Sequence, residues 1–243
     1  DLGYDMIKIT HVIFDVDGLI LDTESIYTEF TSNFLSEYNL QFDYNIKKLM
    51  MGRKPHEAGE ILVKHYNLPL SASEFIQRQS KYITPERWES VQCLPGAEKL
   101  ILHLASHNIP MALATGCCSY ELDQKMRSHQ VIMTKVSHSV CSGDDPTVKH
   151  GKPMPDIFLT TASRFKIPPD SSDNVLVFED SPNGVEAALS AGMHVVWIPD
   201  PREPPGNFPK STSSIDISRV TRLNCLSDFK PEQFGLPRFE NDS

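Results

Sequence analysis

Two aspartates set two residues apart, Asp15 and Asp17, close the apolar run Ile9-Thr10-His11-Val12-Ile13-Phe14 and are followed by Gly18. In a strand, residues two apart point to the same side, so both carboxylates enter one site while Val16 turns back to the core. Gly18 permits a tight exit and a close approach of backbone to a ligand. Two acids held together repel, so one must be protonated, hydrogen-bonded or beside a cation. A nucleophile next to an acid/base is built this way. Alone, the stretch also reads as a buried strand ending in an Asp-rich turn. The rest of the chain decides between the two.

The elements that must position these residues follow in two blocks. After a connector over Leu19 to Glu24, the pattern is helical to about Ser90, with no strand. Ile26, Phe30, Phe34 and Tyr38 recur every four residues and mark one apolar face. Pro55 opens a second helix with Ala58, Ile61, Leu62 and His65 inward. Ser71-x-x-Glu74 is a capping box for a third, which carries Phe75, Ile76, Gln79, Tyr82 and Ile83. Strand–helix alternation then resumes. A helix carries Ala97, Leu100, Ile101 and Leu104, and Pro110 to Thr115 is a second strand. Helix over Ser119 to Ser128 leads to a third strand, Val136 to Cys141. Helix from Pro155 to Phe165 leads to a fourth strand, Val175 to Phe178. Pro182 to Ala191 is a helix stopped by Gly192, and Val195 to Ile198 is the fifth strand. A tail rich in Pro and Ser from Pro201 precedes a short closing segment near Leu226 to Phe234. This alternation implies a doubly wound, Rossmann-like parallel α/β sheet. The expected division is a core of residues 1–22 and 93–243 with an inserted all-helical cap, 23–92, that sets specificity.

Ligands of such sheets sit beyond the C-terminal strand ends, and four places of interest lie there. Asp15 and Asp17 end the first strand, Thr115 the second and Glu179-Asp180 the fourth. Lys152 stands in a Gly-Lys-Pro turn before a helix. Converging carboxylates need a counterion, and Mg²⁺ is the usual partner of one or two carboxylates plus a phosphate. Thr115 brings a hydroxyl, and the backbone N–H groups of Gly116 and Cys117 suit an anion. Each member alone has an ordinary structural explanation. Their order along one sheet edge does not.

FDVDG, a Thr after an apolar strand, a Lys before Pro, and FEDSPNG together resemble the haloacid dehalogenase superfamily. The helical insertion resembles the cap of its β-phosphoglucomutase-like group. MMGRKPHEAGEIL, LPGAEKLILHL, GDDPTVKHGKPMPDIFL and VLVFEDSPNGVEAALSAGMHVVWIPD extend the likeness to the eukaryotic pseudouridine-5′-phosphatase branch. The resemblance implies a phosphatase in which Asp15 attacks phosphorus and Asp17 protonates the leaving alcohol, then activates water. It implies Mg²⁺ held by Asp15, the Asp17 carbonyl and Asp180, with Glu179 alongside, and phosphoryl oxygens held by Thr115, Gly116 and Lys152. Arg53 and Lys54, after Met51-Gly52, are the cap's substrate-binding candidates, and Lys149-His150 rank below them. Where mutases of the group carry a histidine, twelve residues after the nucleophile, this chain has Tyr27, which disfavours an isomerase. Gly116 departs from the small hydroxyl residue expected there. The expected substrate is a small phosphorylated metabolite, pseudouridine 5′-phosphate first. The alternatives are a phosphosugar mutase and a non-catalytic phosphate-binding descendant of the fold.

The remaining composition narrows the setting. The 243 residues carry a formal net charge of −9, which argues against a nucleic-acid polymer or an anionic membrane as partner. The five cysteines, including the pair Cys117-Cys118, lack a disulfide or zinc spacing. No apolar run reaches membrane-spanning length. The expectation is a cytoplasmic enzyme, monomeric or dimeric.

Overall fold

Parallel pairing decides where the two aspartates end up. In the computed structural model, which describes residues 8–204 and 215–240, strand β1 (His11–Phe14) lies between two neighbours. In chain order it is followed by helices α1 (Glu24–Ser36), α2 (Tyr44–Met50), α3 (Pro55–His65), α4 (Ala72–Tyr82) and α5 (Pro85–Glu89). Then come α6 (Ala97–Ser106), β2 (Met111–Thr115), α7 (Ser119–Met126), α8 (Gln130–Met133) and β3 (Ser139–Cys141). The chain continues through α9 (Asp156–Ser163), β4 (Val175–Glu179), α10 (Pro182–Ser190), β5 (His194–Trp197) and β6 (Val220–Arg222). The six strands form one parallel sheet in the order β3-β2-β1-β4-β5-β6. The chain is therefore an open, doubly wound α/β protein.

Burial on both faces explains why β1 is an unbroken apolar run rather than an alternating one. Val12 and Phe14 face a cluster with Leu100, Ile101 and Leu104 of α6 and much of the helical insertion. Ile13 faces the opposite cluster, with Ile157 and Phe158 of α9 and Val185 of α10. Phe14 pairs with Leu113 on one side and Phe178 on the other. That register sets Asp15 level with Glu179, so the acidic residues of two strands leave the sheet together.

The capping box of α4 forms as its sequence implies: Ser71 Oγ accepts from Glu74 N, and the Glu74 carboxylate accepts from Ser71 N at 2.7 Å. On α3 the expectation for His65 is corrected. It is exposed, and the buried positions are Gly59 and Leu62. The helices α2 and α5 and the short strand β6 were not anticipated from the sequence, and the third strand is only Ser139–Cys141. The closing segment is two 3₁₀ turns, Leu226–Asp228 and Pro231–Phe234. The Pro- and Ser-rich stretch 205–214 lies outside the described residues. No helix among them is long and apolar enough to cross a membrane.

The chain enters and leaves the helical insertion at one place. Leu94 N donates to Ile20 O at 2.8 Å, Asp22 N donates to Gln92 O at 3.0 Å, and Leu21 bridges Cys93. Two crossings tied side by side leave the five helices lying over the C-terminal ends of the strands.

Candidate active site

Asp15 leaves β1 nearly enclosed, at 4% exposure. Its Oδ1 accepts from Lys152 Nζ at 2.6 Å, and the same ammonium lies 2.5 Å from Glu179 Oε1. Lys152 is fully buried, so one cation serves two carboxylates. Glu179 is saturated: its Oε2 accepts from Asp180 N, Ser181 N and Ser181 Oγ, each at 3.0 Å. Asp180 is the opposite case. It is 5% exposed, and no hydrogen bond to its carboxylate is found among the described residues. One oxygen from each of Asp15, Glu179 and Asp180 can be chosen so that all lie within 4.8 Å of one another. Burial lifts the Asp15 carboxyl well above its ordinary range; Lys152 opposes this, and Glu179 and Asp17 reinforce it. Burial likewise lifts Asp180, helped by the charges of Asp15, Glu179 and Glu24.

This donor set fits a hard, oxygen-liganded divalent ion. Asp180 brings its carboxylate close to Asp15 at the cavity with no hydrogen-bond partner among the described residues, and Lys152 is shared by two of the three acids. Gly18 belongs to the same geometry: at φ +76° a β-carbon there would stand 2.2 Å from Asp180 Oδ2. Only glycine lets the backbone pass so close to that carboxylate.

Asp17 faces a different environment. Its Oδ1 accepts from Lys125 Nζ and from Thr23 Oγ1, both at 2.7 Å, and its Oδ2 accepts from Thr115 Oγ1 at 3.2 Å. Burial alone would raise the Asp17 carboxyl, yet Lys125 and the three hydrogen bonds outweigh it and hold the group below its ordinary value. Lys125 was missed at the sequence level. It sits in α7 four residues after Glu121, a spacing that reads as an exposed ion pair on a helix.

Asp15, Asp17 and Asp180 line a cavity of about 140 Å³ together with Gly116 and Cys117. Its other wall is largely helical: Glu24, Tyr27, Thr28, Thr31, Lys47 and Gln79 face in with Met50 and Phe75, and Phe42 joins them from the segment before α2. The loop after α2 presses down on the strand ends. A β-carbon on Gly116 would come within 2.8 Å of Arg53 O, which gives a physical reason for glycine where a hydroxyl residue was expected. Asn183 Nδ2 reaches across to the carbonyls of Lys48, Leu49 and Met51, the last at 2.8 Å.

The sequence candidates therefore separate. Asp15, Asp17, Asp180, Gly116 and Arg53 meet at the cavity, and Arg53 Nε donates to Leu49 O at 2.8 Å. Thr115 and Lys152 stand behind it, fully buried and donating to Asp17 and Asp15, and Glu179, equally buried, is tied in through Lys152. Lys54 is turned away and donates to Val148 O at 2.5 Å. Lys149 and His150 are exposed. Burial pushes the Cys117 thiol well up, the unreactive form. Lys47 was not anticipated from the sequence; its Nζ donates to Thr28 Oγ1 at 2.8 Å and pairs with Glu24 at 3.1 Å.

The model of the haloacid dehalogenase-like hydrolases matches residues 12–198. A probable pseudouridine-5′-phosphatase of Drosophila melanogaster is 44% identical over 96% of each chain. A (DL)-glycerol-3-phosphatase of Arabidopsis thaliana is 45% identical over 97% of this chain and 95% of the relative. Among solved structures, the β-phosphoglucomutase of Clostridium difficile superposes with a TM-score of 0.70 over 93% of this chain and 97% of its own, at 21% identity. That last likeness speaks for the fold alone.

Proposed function

Because this chain belongs to the haloacid dehalogenase-like hydrolase family and is a phosphatase, we propose that it cleaves a small phosphomonoester in two steps through an aspartyl-phosphate on Asp15. One observation carries the reading: Asp15 and Asp17, two residues apart on one strand end, face one cavity, Asp15 beside Lys152 and the carboxylate of Asp180, Asp17 fixed by Lys125, Thr23 and Thr115.

In the first step a carboxylate oxygen of Asp15 attacks phosphorus and the ester oxygen leaves with a proton delivered from Asp17. In the second, Asp17 takes a proton from water, the water oxygen attacks phosphorus, and inorganic phosphate departs as Asp15 is restored. Lys152 fixes Asp15 Oδ1, which leaves Oδ2 to react. Glu179 acts through Lys152, since its own oxygens are occupied. Thr115 orients Asp17. Mg²⁺, held by Asp15, Asp180 and the Asp17 carbonyl, would neutralise the charge of the transferring phosphoryl group. What the chain itself supplies is alignment and exclusion of bulk water, the main requirements of phosphoryl transfer.

Residues 23–92 form the cap of this proposal, and the polar wall of Thr28, Thr31, Lys47 and Gln79 reads the alcohol. Pseudouridine 5′-phosphate is the first substrate to test, supported by the likeness to the fly enzyme. Glycerol 3-phosphate is the second reading, favoured by the cavity of about 140 Å³, small against the roughly 300–1,000 Å³ of most ligand pockets. Phosphate release with Mg²⁺ from these two esters, uridine 5′-phosphate and hexose phosphates separates the readings. Selective release from the pseudouridine ester supports the first. Preference for the glycerol ester supports the second, and isomerisation without release would overturn the hydrolase.

A further inference from the structure

Lys125 is the fully buried cation that the two steps above leave without a role. Its ammonium lies 2.7 Å from Asp17 Oδ1, 2.6 Å from the Tyr27 hydroxyl and 3.0 Å from Glu121 Oε1. It also sits over the rings of Tyr27, 5.0 Å from the centroid, and Trp88, at 4.8 Å. Burying an ammonium is unfavourable unless every proton finds a partner, and here three acceptors and two ring faces are provided. The partners come from four places: the end of β1, α1, α5 and α7 itself. The Tyr27 hydroxyl in turn donates to Glu121 Oε1, which closes the network.

The geometry selects one oxygen of Asp17. Oδ1 is taken by Lys125 and by Thr23, so it has no freedom to turn. Among the described residues Oδ2 has only Thr115, at 3.2 Å, and is the oxygen left for proton transfer. Two of the groups that fix Lys125, Tyr27 and Trp88, belong to the helical insertion rather than to the sheet.

We propose that Lys125 is the positioning residue of the acid/base: it holds Asp17 with Oδ2 toward the leaving alcohol, and Tyr27 and Trp88 hold Lys125 only while the helices are seated on the strand ends. The proposal rests on the reading of Asp17 as acid/base, and the test separates the two. The role predicts a dependence on the leaving group, because an alkoxide must be protonated as it departs and a nitrophenolate need not be. The full chain with Mg²⁺ is assayed on an alkyl phosphomonoester and on p-nitrophenyl phosphate. Asp17→Asn serves as the reference, with Lys125→Met and Tyr27→Phe as the test variants.

Lys125→Met should lose about 10²-fold or more in kcat/KM, which reports the first displacement alone, on the alkyl ester and less than about tenfold on the aryl ester. Tyr27→Phe removes one oxygen atom and keeps the ring. It should show the same inequality at about tenfold, which keeps the proposal testable should Lys125→Met fail to fold. Equal losses on both esters in Lys125→Met and Tyr27→Phe, beside unequal losses in Asp17→Asn, would overturn the positioning role alone. Equal losses in Asp17→Asn itself would overturn the acid/base reading first, and the proposal with it.

Discussion

Asp15 and Asp17 are two residues apart on one strand end, and each touches a fully buried lysine, yet the two sites are opposites. Lys152 is shared between Asp15 and Glu179, with Asp180 close by and unpaired. Among its carboxylate neighbours Lys125 lies closest to Asp17, and two hydroxyls complete that carboxylate's shell. Burial therefore wins at Asp15 and raises it, whereas at Asp17 the ammonium and the hydrogen bonds win and lower it. Charge balance makes most of the difference, although Asp17 is also the less enclosed, its side chain 18% exposed against 5% for Asp15. One half of the site is short of a cation, and the other is electrostatically complete.

The comparison breaks hardest at Asp15. Asp15→Asn should keep the fold and lose about four orders of magnitude or more in turnover. Sustained turnover by that variant would remove the covalent step.

Charge balance also predicts opposite pH behaviour. Asp15 and Asp180 have folded values above their unfolded ones, near 4. The stability they contribute without a cation is fully present below that value and is lost as pH rises through the folded values. Asp17 has a folded value below its unfolded one, so its contribution is present above about 4 and lost as pH falls. Saturating Mg²⁺ should reverse the loss on the Asp15 side, raising Tm at neutral pH by roughly 5–10 °C at a hundredfold excess over Kd. Asp180→Asn should abolish most of that rise. Thermal melts with Mg²⁺ and with EDTA across pH 5–8 check the Asp15 sign, and melts taken below about pH 4 check the Asp17 sign; an identical profile with and without Mg²⁺ would contradict the account.

A smaller effect sharpens the role of the helices. Gly116→Ala sets a β-carbon against the Arg53 carbonyl and should lift the loop after α2. The expected result is a several-fold rise in KM, with kcat changed less. A fall in kcat alone would mean that the loop does not contact the substrate.

Much of this was legible in the chain. The β-branched run into Asp15 and Asp17 could be placed because both faces of a central parallel strand are buried. Phe30, Phe34, Leu62 and Phe75 could be read as the insertion's inner face because helices of thirteen and eleven residues repeat their pattern often enough. α2 and α5, at seven and five residues, do not. Lys125 was hidden for a different reason. Nothing local distinguishes a lysine i+4 from a glutamate on a surface from one roofed by Trp88 and Tyr27, which lie 37 and 98 residues away in the chain. That Lys152 binds Glu179 as well as Asp15 was equally invisible, since it follows from the pairing of Phe14 with Phe178. Residue types name the chemistry, and register divides the labour.

The central claim is two displacements at phosphorus, with Asp15 as the first acceptor. Its most direct test is the stereochemical course of the reaction on an isotopically chiral phosphomonoester hydrolysed in labelled water with Mg²⁺. Each in-line displacement inverts phosphorus, so the account predicts net retention in the phosphate released. Net inversion would mean a single attack by water and would contradict it.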